Sequence, residues 1–282
     1  MVIDTTSREG MENALSSLMR VSVSELYQCI DAAANLAVQD QKVFYQDTFD
    51  KAMKGFYSDM IKGKFPDKIL FFHLSRRLNG SEKETAYNLQ ELLTSENCFS
   101  EFLKAHQITF RKGTGDKIIL YFRDAKIDLE DAMDQNVCYL RSRLGYNACQ
   151  KDFCLNGFAF RDLLMKTRYA YTLRNCPEIL TCLESLLRIK KLVKDYVEKS
   201  KYYCFMYRFP MERVVFDGND GLTVEEKQFY LLNRVAYWLY EYRKNPYHLF
   251  ERDNPILRLK DNDNASVDFL VSTEIITSDM IE

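Results

Sequence analysis

The 282-residue chain has little glycine (10) and little proline (5). That excludes long flexible linkers as a large component and favours ordered structure with much helix. Histidine is scarcer still, at three residues. None stands at zinc-finger spacing, and the eight cysteines (29, 98, 138, 149, 154, 176, 182, 204) form no C-x-x-C pair. A structural metal is therefore not expected. No apolar run reaches the ~18 residues a membrane span requires. Met1-Val2-Ile3-Asp4 is followed by polar residues, so no secretory leader is visible. The expectation is a reduced, cytoplasmic protein with buried thiols and no membrane partner. Charges nearly balance, 39 basic against 41 acidic, for a net of -2. No global basic field draws nucleic acid, which leaves only a local patch for that purpose. Also missing are the phosphate-cradling G-x-x-x-x-G-K-[ST] and G-x-G-x-x-G loops, the H-E-x-x-H zinc motif and the G-x-S-x-G nucleophile elbow.

What is present is apolar and aromatic. Hydrophobic residues make up 46% of the chain, enough for a sizeable core. Residues 11–62 repeat apolar side chains at three- and four-residue spacing, which predicts two or three helices, with Ser22 or Ser24 capping the segment that reaches Val38. Helices are also expected over 84–93, 99–105, 128–145, 162–173, 177–201 and 223–244, the last opened by the capping box Thr223-Val-Glu-Glu226. Strands are expected over 107–110 and 117–122, joined by a Gly/Asp turn, and over 202–209 and 214–216. Ile256–Leu259 and Val267–Val271 flank a polar loop and read as a hairpin. This pattern predicts an α+β protein: a mixed, mainly antiparallel sheet with surrounding helices. Residues 1–64 form an N-terminal helical region and 65–282 the α+β domain.

The most informative stretch is Lys68 to Arg77. Four apolar residues, Ile69 to Phe72, lead into His73, Ser75 and the pair Arg76-Arg77. So short a run after Pro66-Asp67 reads as a buried strand over 68–75, with the arginines entering a turn at Asn79-Gly80. It would lift an imidazole and a hydroxyl to the rim of a sheet. The plain alternative is a core-edge histidine bonded to backbone. Further on, Asn156-Gly157 turns into Phe158-Ala-Phe160, and Asp268 precedes the apolar run Phe269 to Val271. Arg141, Arg143, Arg161, Arg168, Arg174 and the lysine-rich stretch 188–201 could form a basic surface, although a charge run on a helix is usually a solvated face.

In that order, His73-x-Ser75, an aromatic middle segment and an acid before a late apolar run resemble the ADP-ribosyltransferase superfamily, in particular its His–Tyr–Glu branch and the DarT-like toxins. The resemblance spans about 68–282. It implies NAD as substrate and transfer of ADP-ribose to a macromolecular acceptor, protein or nucleic acid, as in toxins and phage-defence effectors that are held by an antitoxin. His73 would bond the adenosine ribose and Ser75 the nicotinamide amide. Phe158 or Phe160 would lie against the nicotinamide ring, and Arg76 or Arg77 would bind the pyrophosphate. Asp268 would be the catalytic acid. The chain departs from the family pattern in having Asp for the usual Glu and Phe for the usual Tyr. Glu274, at the same strand parity as Asp268, is the alternative acid. A second class of function uses the same helices without catalysis, as a protein-binding module such as an antitoxin or scaffold.

Overall fold

A computed structural model describes residues 1–38, 43–130, 135–147, 152–245 and 253–281. The described residues form ten α-helices and nine strands: α1 (Arg8–Met19), α2 (Val23–Ala37), α3 (Gln46–Met60), β1 (Lys68–Leu78), α4 (Leu89–Thr94), α5 (Cys98–Ala105), β2 (Ile108–Lys112), β3 (Ile118–Phe122), β4 (Ala125–Lys126), α6 (Gln135–Arg143), β5 (Asn156–Phe158), α7 (Arg168–Leu173), α8 (Glu178–Leu187), α9 (Leu192–Glu198), β6 (Ser200–Pro210), β7 (Val215–Phe216), α10 (Val224–Lys244), β8 (Ile256–Arg258) and β9 (Leu270–Ile275). The main sheet has the order β7-β8-β5-β1-β6-β9, and β2-β3-β4 form a small separate sheet. The fold is α+β with an antiparallel main sheet, as the sequence pattern predicts.

The chain divides into two compact units, each assembled from separate segments. The first holds 1–72, 157–168 and 208–257. Its helices start where side chains can satisfy free amides. Ser22 and Glu25 form a reciprocal capping box for α2, and Thr223 with Glu226 does the same for α10. Met11, Leu15, Leu26, Ile30, Phe49, Met53 and Tyr57 are buried, as are Phe71, Phe160, Phe209 and Trp238. The backbone needs glycine at position 157, because a Cβ there would stand 2.4 Å from the Phe71 ring. Asp162 accepts the Trp238 indole N–H at 2.9 Å and the Tyr242 hydroxyl, so the buried polar edge of the only tryptophan is satisfied.

The second unit holds 73–156, 169–207 and 258–282. Its core joins Leu93, Phe102, Leu103 and Ile108 with Leu120, Leu140, Leu180, Leu183 and Tyr196. β2 and β3 pair in register from Ile108↔Phe122 to Lys112↔Ile118, the hairpin that the Gly/Asp turn predicts. Gly145, at φ 74, ends the α6 segment in a left-handed conformation.

Several sequence expectations are corrected. The helix expected over 177–201 is two helices. Arg188 (φ 51) and Lys191 (φ 74) take left-handed backbone between α8 and α9, and the chain is already strand at Ser200. The helix expected over 84–93 is limited to Leu89–Thr94, capped by Asn88; Ala86 instead bridges Ala265. Of the helix expected over 128–145, residues 135–143 are helical and 131–134 lie outside the described residues. The 162–173 segment is a 3-10 turn at Leu164–Lys166 followed by α7. The expected C-terminal hairpin does not form: β8 pairs within the β7-β8-β5 end of the sheet, while β9 pairs with β6 at the other end.

Candidate functional site

β1 is longer than the apolar run indicates. It continues through His73, Ser75, Arg76 and Arg77 to Leu78. Alternation then sends His73, Ser75 and Arg77 to one face and Leu74 and Arg76 to the other. In the second unit β6 supplies the neighbouring ladder. The Phe205 ring lies 6.3 Å from the His73 ring and 5.3 Å from the Arg77 guanidinium carbon. Tyr203 and Tyr207 flank it at 5.4 and 6.3 Å. One sheet face thus carries an imidazole, a guanidinium and three aromatic rings.

His73 is fixed by its Nδ1, 2.8 Å from the Asn156 carbonyl. A carbonyl only accepts, so Nδ1 carries the proton and Nε2 of the neutral ring is left as an acceptor. Burial first, and then the Arg77 charge, lower the His73 pKa to about 4. The ring is therefore neutral near pH 7. Arg77 makes no hydrogen bond or ion pair among the described residues, and its Nε is buried without a partner. A guanidinium held over an aromatic ring with its N–H groups unspent suits a phosphate or carboxylate. Burial pushes the phenols of Tyr203 and Tyr207 up to about 12, so both remain neutral. The Ser75 hydroxyl donates to the Arg76 carbonyl at 3.3 Å.

Arg76 is differently placed. Its guanidinium bonds Ser200 Oγ (3.0 Å) and the carbonyls of Arg174 (2.7 Å), Val197 (3.1 Å) and Ser200 (2.9 Å). It ties the ends of α7 and α9 to the start of β6. The expectation that either arginine could take a pyrophosphate therefore narrows to Arg77.

The expected acids fall elsewhere. Asp268 opens no strand. It lies exposed in a 3-10 turn, Val267–Phe269, and its carboxylate accepts the Ser266 hydroxyl at 2.9 Å. Glu274 is paired with Cys204, while Thr273 is paired with Phe205. Directly opposed residues share a face, so Glu274 stands on the side of the sheet away from the Phe205 ring. Simple parity fails here because a bulge intervenes: Tyr207 pairs with Leu270, but Met206 pairs with Ser272.

Phe158 and Phe160 belong to the first unit. Phe158 is buried and paired with Phe72. Phe160 has no exposed surface and packs edge-on against Trp238 at 5.1 Å. Its amide and carbonyl are both bonded by the Asn254 side chain, at 3.0 and 2.8 Å.

Two participants escape sequence reasoning. One is the Tyr203-x-Phe205-x-Tyr207 ladder, whose period of two is visible but reads only as an aromatic strand. The other is Glu82, which accepts the Tyr203 hydroxyl at 3.0 Å. Backbone amides of Glu82 and Gly80, together with that phenol, lower its pKa below the ordinary carboxylate value. No metal-holding group of His, Cys, Asp or Glu occurs among the described residues, and no described helix is long and apolar enough to cross a membrane. Comparison with known families, curated proteins and solved structures finds no match to this chain.

Proposed function

We propose that the His73–Arg77–Phe205 face binds a nucleotide, that this nucleotide is NAD, and that the chain transfers its ADP-ribose to a macromolecular acceptor. The single observation behind the reading is Arg77, a cation over an aromatic ring whose side chain makes no hydrogen bond among the described residues. Around it stand groups that match other parts of a dinucleotide. The neutral His73 offers Nε2 to a ribose hydroxyl, and the buried Tyr203, Phe205 and Tyr207 rings back the face from beneath. The choice of NAD over other nucleotides comes from the resemblance carried by His73-x-Ser75. Transfer breaks the bond from the sugar C1 to the nicotinamide nitrogen, and the electron pair stays on that nitrogen. The acceptor then adds to C1 and releases a proton to water.

The test is to measure NAD binding by calorimetry and nicotinamide release by chromatography, for the wild type and for His73→Ala. The reading expects binding and slow release by the wild type, both reduced in the variant. A folded wild type that neither binds NAD nor releases nicotinamide would refute it. A second reading, a nucleotide-binding module without turnover, is favoured by the exposure of Asp268 and the opposite-face position of Glu274. NAD binding with no nicotinamide release would select it.

A further inference from the structure

We infer that β9 is an interaction surface whose partner is β9 of a second copy of this chain, paired antiparallel about a two-fold axis at Thr273. The inference stands apart from the nucleotide reading. β9 ends one side of the main sheet, with β6 along its inner edge and no described strand along its outer edge. The Ile276 amide donates to the Tyr202 carbonyl at 2.9 Å, and Glu274 stands opposite Cys204. Backbone groups alternate in direction along an antiparallel strand. Those of Ile276, Glu274 and Ser272 therefore point to β6, and those of Thr273 and Ile275 point outward. Val271 and Ile275 are apolar yet 41% and 51% exposed. The other sheet edges are blunted: β7 and β4 are two residues long, and β2 ends in Arg111-Lys112. Short strands and basic side chains are devices that keep an edge from pairing. β9 has six residues with no lysine, arginine or proline, and its bulge lies before Ser272.

The order of side chains along β9 selects both partner and register. Directly opposed apolar pairs favour a pairing, and directly opposed like charges disfavour it. An axis at Thr273 sets Val271 against Ile275 of the copy on one face. On the other face it sets Ser272 against Glu274 of the copy, where the hydroxyl can donate to the carboxylate. The two-fold axis repeats each pair. Thr273 meets its own copy with amide and carbonyl both outward, so the two threonines exchange both backbone bonds. An axis at Glu274 would instead oppose two carboxylates, and an axis at Ser272 would set Leu270 against Glu274. A strand complementary to its own reverse is what an isologous contact requires.

Sedimentation equilibrium of the full chain should show a monomer–dimer equilibrium in the micromolar range, because one strand pair is smaller than a standard interface. Thr273→Pro removes the amide on both sides of the axis, at a position whose N–H β6 does not use, where an edge strand tolerates proline. It should weaken the dimer ~5- to 150-fold, the scale of two lost backbone bonds. Thr273→Lys and Thr273→Glu each set like charges against one another across the axis, and each alone should weaken the dimer about fivefold. An equimolar mixture of these two variants should dimerise more tightly than either alone, a result that misfolding would not give. A wild type that stays monomeric through the micromolar range overturns the proposal, even if a foreign extended peptide binds this edge. A dimer unaffected by Thr273→Pro, or a Lys and Glu mixture that dimerises no better than its components, overturns it as well.

Discussion

Replacing Arg76 and Arg77 one at a time by methionine should separate stability from binding at two adjacent positions. Arg76 makes four hydrogen bonds, three of them to backbone carbonyls. Methionine keeps much of the apolar volume but leaves those acceptors without their donor. An unsatisfied buried polar group costs ~1–3 kcal/mol, so two such groups alone place the loss at ~2–6 kcal/mol. Arg77 gives up no hydrogen bond among the described residues, and its aromatic contact with Phe205 is worth ~0.5–1 kcal/mol. Urea unfolding should therefore show Arg76→Met strongly destabilised and Arg77→Met within about 1 kcal/mol of wild type. Calorimetry with ADP-ribose should show the reverse order. Losing a charge-assisted bond to phosphate costs ~1.5–3 kcal/mol, which weakens binding by ~10- to 150-fold in Arg77→Met. The binding should also weaken with salt in the wild type and do so less in the variant. ADP-ribose binding by Arg77→Met equal to wild type, or an Arg76→Met as stable as wild type, would refute the reasoning.

Other consequences are open to measurement. The folded-state pKa of His73 is lowered to about 4 from an ordinary value of 6.5, so the unfolded chain binds more protons between those values, and stability should fall as pH drops through that window. The variant His73→Asn should lose that part of the pH dependence in urea unfolding at pH 7 and pH 4.5; an unchanged dependence would contradict a neutral, buried-type imidazole. Gly157→Ala would press a Cβ onto the Phe71 ring, and overpacking of that kind should destabilise the chain by ~1–3 kcal/mol in the same assay; a neutral effect would mean the ring can move aside. Asp162→Ala would leave the Trp238 N–H and the Tyr242 hydroxyl without their acceptor. It should cost ~1–3 kcal/mol per group and shift the tryptophan fluorescence, and wild-type stability would show that neither bond matters.

The local signals in this sequence were readable where one short segment settles the outcome. The Ser22/Glu25 and Thr223/Glu226 boxes mark real helix starts, and the Gly/Asp turn after Lys112 marks a real hairpin. Distant strand pairing leaves no such local signal. Ile256–Leu259 and Val267–Val271 look like a hairpin, since both are apolar and the loop between them is polar. Which strand each one joins is set by contacts far away in the chain, and these carry them to opposite ends of the sheet. The helix over 177–201 keeps its apolar spacing across the break because α8 and α9 each bury one side. The two left-handed residues between them carry no glycine to announce the bend.

The candidate site was half legible for the same reason. His73 and Ser75 were identifiable from an apolar run that ends in polar residues. The opposite fates of Arg76 and Arg77 follow from strand alternation, once the strand is known to extend to Leu78. Glu274 stands on the other face because of a single bulged residue, Val271, which no sequence pattern marks. Glu82 was invisible because its link to the face runs through a tyrosine 121 residues away.

The most direct measurement of the central claim is a crystal structure of the chain soaked with ADP-ribose. The account predicts a diphosphate oxygen on the Arg77 guanidinium and a ribose hydroxyl at His73 Nε2. Ligand density that avoids Arg77 and His73, or crystals that take up no ADP-ribose at concentrations well above those binding in solution, would contradict it.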